Sequence, residues 1–177
     1  MIYTEFVEMI KKIPASFEKY KEQGLNDTFI NQHINSFSLS KKEADINIHE
    51  SEDELLKLIK SYNLSEISIG MVNFLPAPYE NSENVFFGKF EVDTLAIYQP
   101  SAEIRCYEEN SDHLMYNCAK NGEMFLSALF EASCFLEKRS MDNEMYDNEL
   151  LALDVAAYCA DLAGGSKYKK FYVVLLS

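Results

Sequence analysis

The sequence predicts an α+β domain over residues 1–177, with a central antiparallel sheet of about four to six strands and helices gathered around it. Three observations predict this. The stretch Val85–Glu109, VFFGKFEVDTLAIYQPSAEIRCYEE, is dense in aromatic and β-branched residues, which fit a pleated, half-buried surface. Almost everything before and after it places apolar residues at helical spacing, apart from one more strand. A chain of 177 residues with 47% apolar side chains is long enough to bury one sizeable core.

Within the central stretch, Gly88 and then Gln99-Pro100-Ser101 interrupt the apolar runs, so three short strands joined by tight turns are expected. Phe90, Val92, Ala96 and Tyr98 fall on one face; Asp93, Leu95 and Ile97 fall on the other. Apolar residues on both faces predict a central, covered strand. Gly88 among aromatics points to a bulge, a positive φ or close backbone approach. Asp93, inside the strands, is expected as a structural keystone, held by backbone N–H groups or by Arg105.

Residues 1–24 form an N-terminal helical segment. One helix runs from Thr4 to about Lys12, and a shorter one starts at Pro14, which suits a first helical turn. Phe29, Ile30, Ile34 and Phe37 make an amphipathic helix capped by Asn26 or Asp27. Residues 38–49 read as a loop with a short edge strand. Ser51-Glu52-Asp53-Glu54 has the spacing of a capping box for the helix carrying Leu55, Leu58, Ile59 and Tyr62. Glu66–Phe74 reads as a strand, and Pro76, Pro78 and the ENSEN segment as a loop. Asn110-Ser111-Asp112 ends the meander. Phe125 to Leu136 is a helix, and residues 140–177 hold the C-terminal helices, packed on the same core. Of these, one carries Met145 to Leu162 and stops at Gly164-Gly165. The other carries Tyr168, Phe171, Tyr172, Leu175 and Leu176 at i, i+3, i+4, i+7 and i+8, a period that decides for helix over strand.

The residues argue against catalysis. His33, His49 and His113 are far apart, and His49 beside Glu50, Glu52, Asp53 and Glu54 lacks an H-x-x-x-H spacing. There is no glycine-rich phosphate loop, no G-x-S-x-G, and no cysteine beside an obvious base. No catalytic residue, metal or cofactor is expected. Cys106, Cys118, Cys134 and Cys159 lack C-x-x-C spacing and read as reduced, mostly buried thiols. With no signal-peptide pattern at MIYTEFVEMIKK and no apolar run near 20 residues, the expectation is a cytoplasmic protein away from membranes. The net charge of −13 repels phosphate backbones and attracts a basic protein partner. Glu103, Glu108, Glu109 and Asp112 cluster beside Tyr107 and Tyr116 at the end of the meander. Acids interleaved with aromatics suit an interaction surface, so Tyr107, Glu108, Glu109, Asp112 and Tyr116 are the candidate partner-binding residues.

The segment FGKFEVDTLAIYQPSAEIRCY also resembles the core signature of the SUKH superfamily, bacterial immunity proteins grouped with the cell-wall assembly regulators and Syd. In that signature a glycine after aromatic residues precedes an aspartate, a short apolar strand, a turn and a second strand. Here these are Gly88, Asp93, Leu95-Ala96-Ile97, the turn at Pro100-Ser101, and Glu103-Ile104; where the family commonly has glycine before the glutamate, this chain has Ala102. The resemblance implies the same α+β class and a non-enzymatic immunity protein that neutralises a secreted polymorphic toxin, often a nuclease, by stoichiometric binding. The alternatives are a regulatory or scaffold module of the same fold, and a small-ligand binder or enzyme with a site assembled from scattered residues.

Overall fold

The aromatic stretch forms the middle of a six-stranded antiparallel sheet in the computed structural model, which describes residues 1–42, 49 and 51–177. The strands are β3 (Ser68–Ile69), β4 (Val72–Glu80), β5 (Asn84–Phe90), β6 (Asp93–Tyr98), β7 (Glu103–Tyr107) and β8 (Leu114–Ala119), each paired with its neighbour in sequence. A separate ribbon pairs β1 (Ser40–Lys41) with β2 (Tyr62–Asn63). The helices are α1 (Tyr3–Ile10), α2 (Phe17–Glu22), α3 (Asp27–Ser36), α4 (Glu54–Ser61), α5 (Gly122–Ser140), α6 (Asn143–Tyr146), α7 (Glu149–Leu162) and α8 (Lys169–Leu176). The protein is therefore α+β.

The sheet departs from the sequence reading at four places. The β5–β6 turn lies at Glu91-Val92, with Glu91 at φ 54°, so Gly88 is inside a strand, Val92 points to solvent, and Phe90, paired with Asp93, falls on the core face with Leu95 and Ile97 instead of sharing a face with Ala96 and Tyr98. Glu66–Phe74 is not one strand: the chain reverses at Gly70, φ 55°, to give β3 and β4. Pro76 and Pro78 lie within β4 and not in a loop. Pairing of β4 with β5 lapses between Phe74 and Tyr79, and β3 reaches only Val72 and Asn73, so neither proline owes an N–H to a ladder. Finally, Asn110-Ser111-Asp112 is a hairpin loop, and the meander continues into β8. The segment LMYNCA is a weak strand by composition, and its register on β7 positions it.

The helices depart less. Ser16, not Pro14, marks the start of α2, its side chain accepting the Lys19 N–H. Asp53 rather than Ser51 caps α4: one carboxylate oxygen accepts from Leu55 N–H at 2.9 Å, the other from Gly122 N–H at 2.8 Å. A single half-buried carboxylate thus joins the starts of α4 and α5, and the burial of its charge raises its pKa. The helix expected from Met145 is divided, with Asn148 capping α7. Gly164 and Gly165 follow α7 at φ 116° and 120°, and Lys169–Leu176 is helical, as the periodicity predicts.

One sheet face is the core. Leu95, Ile97, Ile104 and Cys106 are fully or almost fully buried. The Phe87 ring meets Phe125 of α5 at 5.9 Å, and Phe90 meets Phe171 of α8 at 4.8 Å. Burying such a ring contributes about 2–3 kcal/mol. The other face carries Phe86, Thr94, Tyr98, Arg105 and Tyr107, all partly open to solvent. Register fixes this division, since Thr94 pairs with Tyr107, Ala96 with Arg105, and Phe86 with Ala96. All four cysteines are free, with Cys106, Cys118 and Cys159 buried. Burial pushes the Cys106 and Cys159 thiols up to about 12.

Candidate functional site

The partly open sheet face ends in a groove of about 320 Å³. Its floor is Phe86, Thr94 and Tyr107 with Asn84 and Lys89. One wall is Tyr79 of β4, and the other is the β7–β8 loop, Glu108 to Asp112. The Tyr79 and Phe86 rings stack with centroids 4.8 Å apart, an offset arrangement aromatic pairs favour. Tyr79 stays more than half exposed, at 56%.

The loop is held from both sides. Asn110 takes a positive φ of 57°, Glu108 N–H donates to the His113 carbonyl at 3.0 Å, and His113 N–H donates to Ser111 Oγ at 3.0 Å. Asp93 Oδ1 accepts the Glu109 N–H at 3.1 Å. Asp93 therefore anchors the acidic loop from the start of β6. It is only half-buried, and its partner is this N–H rather than Arg105. Arg105 sits farther along β7, where its Nε donates to Glu103 at 3.0 Å and its Cζ lies 3.7 Å above the Tyr98 ring centroid.

Tyr107, Glu108, Glu109 and Asp112 all line the groove. Tyr107 Oη donates to Asn84 Oδ1 at 3.2 Å, which fixes the ring at the floor. Lys89 Nζ lies 3.3 Å from Glu109 and donates to the Val92 carbonyl at 3.0 Å. Tyr116 is elsewhere. It pairs with Cys106 on the core face, 6.0 Å from the Phe90 ring and 6.2 Å from Phe171, with Lys170 Nζ 5.3 Å from its ring centroid. Strand alternation separates it from Tyr107, and that alternation follows from the pairing of β8 with β7. Tyr79 and Phe86 are the residues sequence reasoning missed. Their signal was weak, because the prolines around Tyr79 argued against a strand.

Gly88 supports this face from below. It sits at the bulge in the β5–β6 register between Phe86 and Gly88, and a Cβ there would lie 2.7 Å from the Asn73 carbonyl oxygen. Glu103, at the far end of the same face, is almost buried. Burial alone would raise its pKa, but hydrogen bonds from Lys167, Arg105 and Tyr168 outweigh that and lower it. His33 is similarly occupied, its Nε2 3.0 Å from Glu137. Among the described residues no cluster of His, Cys, Asp and Glu could hold a metal ion, and no helix is long and apolar enough to cross a membrane. Glu50, part of the acidic run beside His49, lies outside the described residues.

Comparison with protein-family models, with curated proteins and with solved structures finds no match.

Proposed function

We propose that this chain is a non-enzymatic protein-binding domain, an immunity protein of the SUKH type that neutralises a cognate secreted toxin by stoichiometric binding in the cytoplasm. One observation carries the reading: Tyr79, Phe86 and Tyr107 lie in one groove with Glu108, Glu109 and Asp112. Aromatic rings supply desolvated contact area, and the acids around them attract and orient a basic partner. The net charge of −13 acts in the same direction at longer range and disfavours nucleic acid. The signature residues Gly88, Asp93 and Glu103-Ile104 support the family reading, because Gly88 shapes the sheet under the groove and Asp93 anchors its acidic loop.

Co-expression with the product of an adjacent gene encoding a secreted protein with a C-terminal toxin domain tests this. The expected result is a one-to-one complex that survives size-exclusion chromatography and in which the toxin is inactive. A complex in which the toxin keeps its activity, or no complex with that domain, refutes the immunity role.

A further inference from the structure

The open sheet face already holds one guanidinium. Arg105 Cζ lies over the Tyr98 ring, 3.7 Å from its centroid, while Glu103 accepts from the Arg105 Nε. A ring face plus a carboxylate suits a planar, weakly hydrated cation. The groove on the same face offers both ingredients again. Tyr79 and Phe86 supply the stacked rings, and Glu108, Glu109 and Asp112 supply the carboxylates. Lys89 is the cation in the lining, and it is engaged by Glu109 and the Val92 carbonyl. Glu108 and Asp112 have no ion-pair partner among the described residues. The groove is thus in negative excess beside an unfilled aromatic platform. A second copy of this chain would bring the same acids and a charge of −13 against it.

Resting on the protein-binding reading above, we infer that the groove reads an arginine side chain on an exposed segment of a basic partner protein. Its guanidinium stacks on the Tyr79–Phe86 pair and bonds the carboxylates of Glu108 and Asp112. The partly exposed Tyr107 on the groove floor gives the flanking backbone a surface to lie on.

The probe is a capped Gly-Arg-Gly peptide, titrated into isotopically labelled protein and followed by NMR, with capped Gly-Lys-Gly and Gly-citrulline-Gly as companions. Saturable shifts at the groove residues are expected with arginine, binding roughly fivefold weaker with lysine, and no saturable shift with the uncharged citrulline. Tyr79→Leu keeps apolar bulk without the ring and should weaken the arginine peptide about fivefold. Glu108→Gln with Asp112→Asn should weaken it at least as much, and both sites are exposed enough to leave the fold intact. Equal binding of citrulline, shifts confined to another surface, or no response to either variant overturns the inference. The two readings fail separately. Peptide binding without any toxin complex leaves the arginine groove standing and removes the immunity role. A toxin complex indifferent to Tyr79→Leu does the reverse.

Discussion

His33 Nε2 lies 3.0 Å from Glu137 Oε2, a contact between α3 and α5 across 104 residues of chain. The other carboxylate oxygen of Glu137 accepts from Tyr20 Oη and from Ala15 N–H at 3.2 Å. One carboxylate, 8% exposed, therefore ties α3, α2 and the segment before α2 to the central helix. Burial alone would raise its pKa; the hydrogen bonds from His33, Tyr20 and Ala15 outweigh that and hold it below the ordinary carboxylate range. A carboxylate depressed in the folded state contributes stability above its unfolded pKa and loses it as pH falls through the folded value. Glu137→Gln should therefore cost on the order of 1–3 kcal/mol at neutral pH. That difference should shrink as pH falls below the ordinary glutamate value of about 4.3, where the unfolded chain takes up the proton first, and vanish once Glu137 in the native protein is protonated as well. Urea titrations of both proteins at the two pH values measure it, and a penalty that does not change with pH would show that the charge is incidental.

Gly88 faces the Asn73 carbonyl so closely that a Cβ would stand 2.7 Å from the oxygen. That atom is backbone in a paired strand and cannot swing aside as a side chain would. Gly88→Ala should cost on the order of 1–3 kcal/mol, seen as a lower melting temperature. An unchanged melting temperature would mean that β4 shifts freely to make room.

Ala102 offers the opposite case. It holds φ 60° in the β6–β7 turn, the left-handed region that costs a residue with a Cβ about 1–2 kcal/mol. It also stands where the SUKH signature commonly has glycine. Ala102→Gly relieves the strain but adds freedom to the unfolded chain, so the net gain should be about 0.5–1 kcal/mol. Denaturant unfolding reads this directly, and a loss of stability would show that the alanine methyl makes contacts worth more than the strain.

What was legible in the sequence follows from how local each signal is. The meander strands were legible because Phe86 to Tyr107 carry the β-forming chemistry themselves. The final helix was legible because Phe171, Tyr172, Leu175 and Leu176 keep one period on a face that is buried. β8 was not, since Leu114–Ala119 is a strand by virtue of its pairing with β7. The prolines in β4 read as a loop for the same reason: whether proline is tolerated in a strand depends on which neighbours are absent, and that is tertiary information. The site was half legible. Contiguity in sequence put Tyr107, Glu108, Glu109 and Asp112 together, whereas the rings of Tyr79 and Phe86 come from two other strands. Proximity in sequence groups Tyr116 with the surface acids, and the pleat carries it to the core face.

The charge distribution leads to a kinetic prediction for the proposed toxin complex. Glu108, Glu109 and Asp112 are exposed, so beyond the direct bonds inferred for Glu108 and Asp112 their field acts on encounter. Their field is screened over about 10 Å at 0.1 M salt, so the association rate should fall as salt rises while dissociation changes little. Neutralising the three together should slow association roughly tenfold. Glu109 contributes least of the three, because Lys89 already offsets it at 3.3 Å. Tyr79→Ala should act on the other rate constant, speeding dissociation by removing the ring that stacks on Phe86. Tyr116→Ala should leave both rates nearly unchanged and lower the melting temperature, since that ring packs against Phe90 and Phe171. Stopped-flow measurements at two salt concentrations separate these effects. A salt-independent association rate, or kinetics altered by Tyr116→Ala but not by Tyr79→Ala, would move the interface away from this groove and onto the helix side of the sheet.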